Sequence, residues 1–167
     1  MKKIPTLNFS DFVKKFPKVD LPVTLTEETQ MIFSKKNNPL PKQMIEEFII
    51  PIEDEEIDEF TEYVPCFRLP KTKDFQAIVY WKAGLMTYQY FFVSFDKKGN
   101  VIEKKVIAGT EVKKDALVRV IATIKEDWTI PVVEGVAPAN DDQKYDPATS
   151  LASTLQLQPD GTILTLD

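Results

Sequence analysis

The side chains of this chain that could support acid–base chemistry are aspartates that lie between apolar segments of the sequence. The chain contains no histidine, so carboxylate pairs such as glycosidases use are the main acid–base groups that remain to it. Asp96, Asp127 and Asp160 each lie in a short polar segment, where aspartate commonly bonds the backbone of a turn. We therefore interpret them as turn residues and keep an Asp/Glu-based acid–base enzyme as the second alternative only.

Cys66 and the glycines give no support to other catalytic chemistries. Cys66 lies in "YVPCFRL", and the sequence offers no histidine to activate it, so we expect a buried, inert thiol. The five glycines are spread over the chain and form neither a phosphate-binding loop nor a dinucleotide fingerprint. The sequence therefore predicts a protein that is not an enzyme, with no catalytic residues and no cofactor.

The acidic run at 53–59, within "EDEEIDEF", is the one segment that suggests a metal ion. A calcium loop of the EF-hand type alternates oxygen ligands along a turn and needs a glycine to bend it, and this run contains no glycine. We expect a solvated connector here and no metal site.

The overall charge bears on partners and compartment. Twenty-six acidic residues against 21 basic ones give a formal charge of −5, and no basic face is visible in the sequence, so neither nucleic acid nor a membrane is expected as a partner. Polar residues and Pro5 interrupt the start of the chain, where a signal peptide would be apolar. The lone Cys66 suits a reducing compartment, so a cytoplasmic protein is predicted.

The first sixty residues have helical spacing. Apolar residues at 9, 12, 13 and 16 in "NFSDFVKKF" share one helix face, and Pro17 ends that helix. A second helix is predicted in "NNPLPKQMIEEFIIP", from Pro41 to just before Pro51. The segment "DLPVTL" between them reads as extended.

From Thr61 onward a hairpin pattern recurs. The segments "FDKKGNV", "IKEDWTI" and "LQPDGTI" each place two apolar residues around a polar turn, and "LPKTKDF" is a weaker copy. Gly99 and Gly161 can adopt the positive φ of a type I turn followed by a bulge. Trp128 stands at the equivalent position, where a large side chain is unfavourable, so we expect a different turn geometry there.

These turns connect about eight predicted strands. The expected fold is α+β and predominantly β: a curved antiparallel meander, closed to a partial barrel or left open, with N-terminal helices. We expect a single domain over 1–167, with a helical part at 1–60 and the meander at 61–167. Residues 136–150 are predicted to form a long loop of undefined role.

The segment "LMTYQYFFVSF" carries large apolar side chains on both faces of its predicted strand. We expect the sheet core to cover one face and the N-terminal helices to cover the face with Tyr88 and Tyr90. The alternative is that Tyr80, Tyr88 and Tyr90 form an aromatic platform for a ligand or a partner protein. Together with Trp128, these tyrosines are the candidate binding residues.

Two resemblances accompany these patterns. The order of "FPKVDLP", "YVPCFRLP" and "FDKKGNVI" resembles small uncharacterised bacterial proteins with a helical leader and a β meander. The segment "PLPKQMIEEFI" is similar to the start of a superfamily of immunity proteins that neutralise polymorphic toxins. The second resemblance implies an inhibitor that binds a protein.

The expected function is therefore non-enzymatic binding, with a protein as the expected partner and an immunity-type inhibitor as one member of that class. The alternative is a small-molecule carrier that holds an apolar ligand inside a β barrel, which requires a continuous apolar cavity of about 300 Å³ or more. The oligomeric state and the identity of the partner do not follow from the sequence.

Overall fold

The structure is a computed structural model that describes residues 7–138 and 150–166. Two short helices, α1 (Phe9–Lys14) and α2 (Thr29–Lys36), precede a helical segment that consists of α3 (Lys42–Met44), a π-helical turn (Ile45–Ile49) and a 3-10 turn (Ile50–Ile52). The strands are β1 (Val23–Leu25), β2 (Glu62–Arg68), β3 (Gln76–Ala83), β4 (Thr87–Phe95), β5 (Val101–Lys113), β6 (Ala116–Ile124), β7 (Thr129–Pro138), β8 (Leu151–Leu157) and β9 (Ile163–Leu166).

One antiparallel sheet contains all nine of these strands. Strands β2 to β9 pair in sequence order, and β1 pairs with β6. The sheet curls but does not close into a barrel, which confirms the predicted α+β meander with N-terminal helices. Strand β7 extends to Pro138, so residues 136–138 of the predicted loop are strand, and residues 139–149 lie outside the described residues.

Both faces of the central strands are buried, as the two-sided pattern of β3 and β4 predicts. We call the core on the face of Val79, Tyr90 and Phe92 the first core, and the core on the face of Tyr80 and Phe91 the second core. Side chains from β6, β7 and β8 belong to the first core, because the curl of the sheet brings these strands over that face. Cys66 is buried in the first core, as expected, and burial raises the pKa of its thiol.

The prediction that the N-terminal helices cover Tyr88 and Tyr90 is wrong for α1 and for the helical segment at 42–52, whereas α2 does pack on this face through Phe33. Phe12 of α1 and Phe16, just after that helix, are fully buried in the second core, against the opposite face of the sheet. The ring of Phe12 stacks on Phe48 at 4.6 Å between centroids. On the Tyr90 face, β1 and the curled strands pack against the core together with Phe33 of α2.

Three turns of the meander share one geometry. These turns span residues 96–100, 125–129 and 158–162. In each turn the backbone N–H of the first residue donates to the carbonyl of the fifth, and the carbonyl of the first accepts the N–H of the fourth, at 2.8–3.1 Å. Gly99 and Gly161 have φ of 93° and 91°, as predicted. Because one strand pair separates each of these turns from the next, they all lie at the same end of the sheet.

Trp128 adopts the same left-handed conformation, with φ of 67°, so the expectation of a different turn geometry is wrong. Its indole packs edge-on against Phe75 at 5.6 Å between ring centroids, and this contact offsets the cost of the conformation. The Asp127 carboxylate also accepts the N–H of Thr129 at 3.0 Å and holds the turn.

Asp96, Asp127 and Asp160 are turn residues, as predicted. Each carboxylate accepts backbone N–H groups of its own turn, at 2.9–3.0 Å. These and side-chain hydrogen bonds within the turns lower the pKa of all three carboxyl groups. A low pKa is the opposite of what a general acid at neutral pH requires.

Candidate functional site

An aromatic cleft opens where β3, β4 and β5 run beside the start of α2. Trp81 of β3 pairs in register with Tyr90, and its indole stacks on Tyr88, with ring centroids 5.7 Å apart and planes 10° from parallel. The cleft encloses about 260 Å³. Its lining residues are Glu27, Gln30, Trp81, Tyr88, Tyr90, Gly109 and Thr110.

Tyr90 forms the buried base of the aromatic cleft. Its side chain is 1% exposed, and its hydroxyl donates a hydrogen bond to the carbonyl oxygen of Thr26 at 2.7 Å. Burial raises the pKa of this phenol, so it stays protonated and continues to donate. This bond attaches the segment before α2 to the sheet, and thereby positions Glu27 at the opening.

Glu27 places one carboxylate at the opening of the cleft. Its Oε1 atom accepts hydrogen bonds from Nε of Arg119 at 2.8 Å and from Oγ1 of Thr110 at 3.0 Å. The Glu27 side chain remains about half exposed, so this ion pair contributes little to stability. Its main effect is to fix the Glu27 carboxylate beside two aromatic rings, where Arg119 offsets most of its charge.

Gly109 allows β5 to approach β4 at the cleft. Its φ is 151°, and a Cβ atom there would lie 2.2 Å from the carbonyl oxygen of Tyr88. No side chain fits at that distance without a shift of the strand. The shape of the cleft therefore depends on a glycine at this position.

Two apolar side chains project at the β3–β4 turn, next to the cleft. Leu85 is 83% exposed and Met86 is 59% exposed, and we call this pair the apolar tip. The turn is held by hydrogen bonds: Gly84 donates to the carbonyl of Thr87 at 2.8 Å, and Val112 donates to the carbonyl of Met86 at 3.1 Å. The apolar tip is therefore presented on a fixed turn.

Carboxylates border the apolar tip on its other side. A shallow groove of about 220 Å³ runs between the acidic segment and the β3–β4 turn, and Glu55, Glu56, Asp58 and Leu85 are among its lining residues. The three acidic side chains are exposed, as the predicted solvated connector requires. They place negative charge on this side of the apolar tip.

Glu53, by contrast, is buried, so the prediction of a wholly solvated connector is wrong at this residue. Its side chain is 4% exposed and pairs with Lys82, which is 15% exposed. The hydroxyls of Tyr63 and Tyr80 and the Oε1 atom of Glu53 are buried without a hydrogen-bond partner. Burial, followed by the nearby Glu53 charge, raises the pKa of both phenols. This pairing anchors the start of the acidic segment to β3.

The four residues selected from the sequence do not form one surface. Tyr80 is buried in the second core, stacked on Phe91 at 5.4 Å, and Tyr90 is buried in the first core. Trp128 lies at the other end of the sheet, and only Tyr88 is both exposed and at the cleft.

Sequence reasoning missed Trp81 and Glu27. The alternation of aromatic residues in "VYW" and "TYQY" could have revealed Trp81, since neighbouring strands bring such residues together. Glu27 carries no comparable signal, because Arg119 lies 92 residues further along the chain.

Comparisons with protein-family models, with curated proteins and with solved structures give no match for this chain. None of the helices in the described ranges combines the length and the apolar character that a membrane crossing needs. Within residues 7–138 and 150–166, His, Cys, Asp and Glu side chains do not group in threes as a metal ion would require.

Proposed function

We propose that this chain is a non-enzymatic binding protein whose partner is a basic protein. The partner would dock on the aromatic end, which we define as the aromatic cleft, the apolar tip and the acidic residues at 55–58. The observation that carries the proposal is the apolar tip itself: Leu85 and Met86 are exposed on a hydrogen-bonded turn between aromatic rings and carboxylates. Apolar and aromatic groups inside a polar rim are the usual composition of a protein interface.

The charges around the aromatic end indicate the chemistry of the partner. Glu55, Glu56 and Asp58 line the groove beside Leu85, and Glu27, which pairs with Arg119, lines the cleft. A cationic surface would gain favourable long-range attraction to these groups, and its Lys or Arg side chains could also lie against Tyr88. An immunity-type inhibitor of a basic toxin is the member of this class that the resemblance at 39–49 favours.

The carrier alternative has less support. The sheet is open, and Tyr90, Phe92 and the side chains of β6 to β8 fill the face where an enclosed ligand would lie. The aromatic cleft, at about 260 Å³, opens to solvent and is smaller than about 300 Å³, the lower end of typical ligand pockets. The acid–base alternative has less support still, because the carboxylates of Asp96, Asp127 and Asp160 accept hydrogen bonds within their own turns, and these bonds lower their pKa.

The proposal is tested with two matched variants. Immobilised wild-type protein is exposed to a lysate of the source cells, bound proteins are identified by mass spectrometry, and the purified candidate is titrated by calorimetry. The Leu85→Ser/Met86→Ser variant removes the apolar tip. The Leu151→Ser/Leu164→Ser variant is the control, since it removes exposed leucines from β8 and β9.

We expect a captured protein rich in Lys and Arg whose affinity falls at least about tenfold in the apolar-tip variant, because truncation of central interface residues often costs more than 1.4 kcal/mol. The control should bind as the wild type does, and affinity should decrease as salt is raised. An acidic partner, or equal binding by the two variants, would refute the proposal.

A further inference from the structure

A basic groove lies at the opposite end of the sheet from the apolar tip. It is lined by Lys14 of α1, Lys18 after that helix, Arg68 of β2 and Lys97 in the β4–β5 turn, and it encloses about 370 Å³. Successive turns of a meander alternate between the two ends of the sheet, so the β4–β5 turn is far from the β3–β4 turn. The expectation of no basic face is wrong, because these cations come from distant parts of the sequence.

The four cations of the basic groove lack acidic partners. In the described part of the chain, none of them forms an ion pair with a carboxylate. Asp96 lies next to Lys97 in the β4–β5 turn, but its carboxylate accepts hydrogen bonds from the backbone of that turn. Like charges gathered in one groove repel one another, and a bound anion would remove this repulsion.

Arg68 is the positioned member of the cluster. Its Nη1 atom donates to the carbonyl of Val13 at 3.2 Å, and its backbone N–H donates to the carbonyl of Pro17 at 2.9 Å. These bonds hold the guanidinium beside α1 and leave its other N–H groups for a ligand. Ser10 and Gln76 add a hydroxyl and an amide to the lining.

We propose that the basic groove binds the phosphate groups of a small phosphorylated molecule. A guanidinium with three ammonium groups matches a phosphate group better than a single carboxylate. A phosphate group carries up to two negative charges and three acceptor oxygens, so it can bond the guanidinium and the lysines together. The volume of about 370 Å³ falls within the range of small-molecule sites, about 300–1,000 Å³. This site is separate from the aromatic end and does not depend on the proposed function.

The experiment measures thermal unfolding with added pyrophosphate, ATP or sulfate at one ionic strength, and sedimentation with phosphatidylcholine vesicles that contain phosphatidylinositol bisphosphate. The Lys14→Gln/Lys97→Gln variant removes two exposed cations of the groove. The Lys35→Gln/Lys36→Gln variant removes two exposed cations of α2 and is the control for charge.

We expect pyrophosphate or ATP, at a concentration ten times Kd, to raise Tm by about 3–6 °C. Sulfate should raise Tm much less. The groove variant should lose this shift, and the charge control should keep it. No shift with either phosphate, an equal shift with sulfate, or an equal loss in the control would refute the proposal.

Two further results would also overturn the assignment. Binding to the vesicles without any response to soluble phosphates would assign the groove to a lipid headgroup. A wild-type dimer that the groove variant cannot form, again without a phosphate response, would assign the groove to the acidic segment of a second copy.

Discussion

Tyr88 and Tyr90 lie two residues apart on the same face of β4, and they form a matched pair for mutation. Tyr90 is 1% exposed and Tyr88 is 41% exposed. We expect Tyr90→Ala to destabilise the fold by about 3–5 kcal/mol, the usual cost when a fully buried aromatic ring is truncated. Tyr88→Ala should cost only about 1 kcal/mol, because it loses a stacking contact with Trp81 at a half-exposed site.

The hydroxyl of Tyr90 can be tested separately from its ring. Tyr90→Phe keeps the ring and removes the hydrogen bond to the Thr26 carbonyl, which should cost about 1 kcal/mol. The same variant should increase hydrogen exchange near Glu27, since it releases the segment before α2 from the sheet. Tyr88→Phe is the control and should change neither quantity.

Urea unfolding followed by circular dichroism gives these free energies, and thermal unfolding checks them. In a chain of this length, Tm falls by about 2–4 °C for each kcal/mol lost from the free energy of unfolding. We therefore expect Tm to fall by about 6–20 °C in Tyr90→Ala and by about 2–4 °C in Tyr88→Ala. Equal costs for the two alanine variants would contradict the packing described for β4.

Four other predictions follow from buried or turn residues. Gly161→Val should lower the free energy of unfolding by about 1 kcal/mol or more in urea titrations, because its φ is 91° and the added Cβ would lie 3.1 Å from a neighbouring side chain. Glu53→Gln and Lys82→Met should each cost about 3–5 kcal/mol, while the double variant should cost less than either, since a single change leaves a buried charge unpaired; additive costs would contradict this. The pKa of Asp160 is lowered in the folded state, so the stability that its carboxylate contributes is fully present above the usual aspartate pKa of about 3.9. That stability is lost as the pH falls from about 3.9 through the lower pKa of the folded state. Asp160→Asn should therefore reduce the dependence of Tm on pH below about 3.9. The buried thiol of Cys66 should react with Ellman's reagent at pH 8 only as fast as the chain opens, and fast labelling of the folded protein would show that the thiol is accessible.

Local sequence patterns predicted the meander, because hairpin turns and alternating strands depend on residues close together in the chain. The "DKKGN" and "PDGT" segments indicated bulged turns correctly, since glycine adopts positive φ without a Cβ penalty. Trp128 was misjudged because the contact that supports it, with Phe75, comes from a different hairpin. Tertiary packing outweighed the local preference at this residue.

The surfaces were harder to predict because they join residues that are remote in sequence. The basic groove brings Lys14 together with Arg68 and Lys97, and the aromatic cleft brings Glu27 against β4 and β5. The pattern of β4 showed that both faces are buried, but it could not show which helix covers which face. The alternation of a strand shows which residues share a face, but it does not show which helix or strand packs against that face.

The pairing of β1 with β6 has a consequence for the order of folding. Each pair from β2 to β9 joins strands that are neighbours in the sequence, whereas Thr24 of β1 meets Thr123 of β6 across 99 residues. Loop closure costs more entropy as the loop lengthens, and non-local contacts slow folding. We therefore expect the hairpins to form first and β1 to dock late, after the strands that receive it are in place. Because β1 leads directly into the segment that carries Glu27, the aromatic cleft would be complete only at the end of folding.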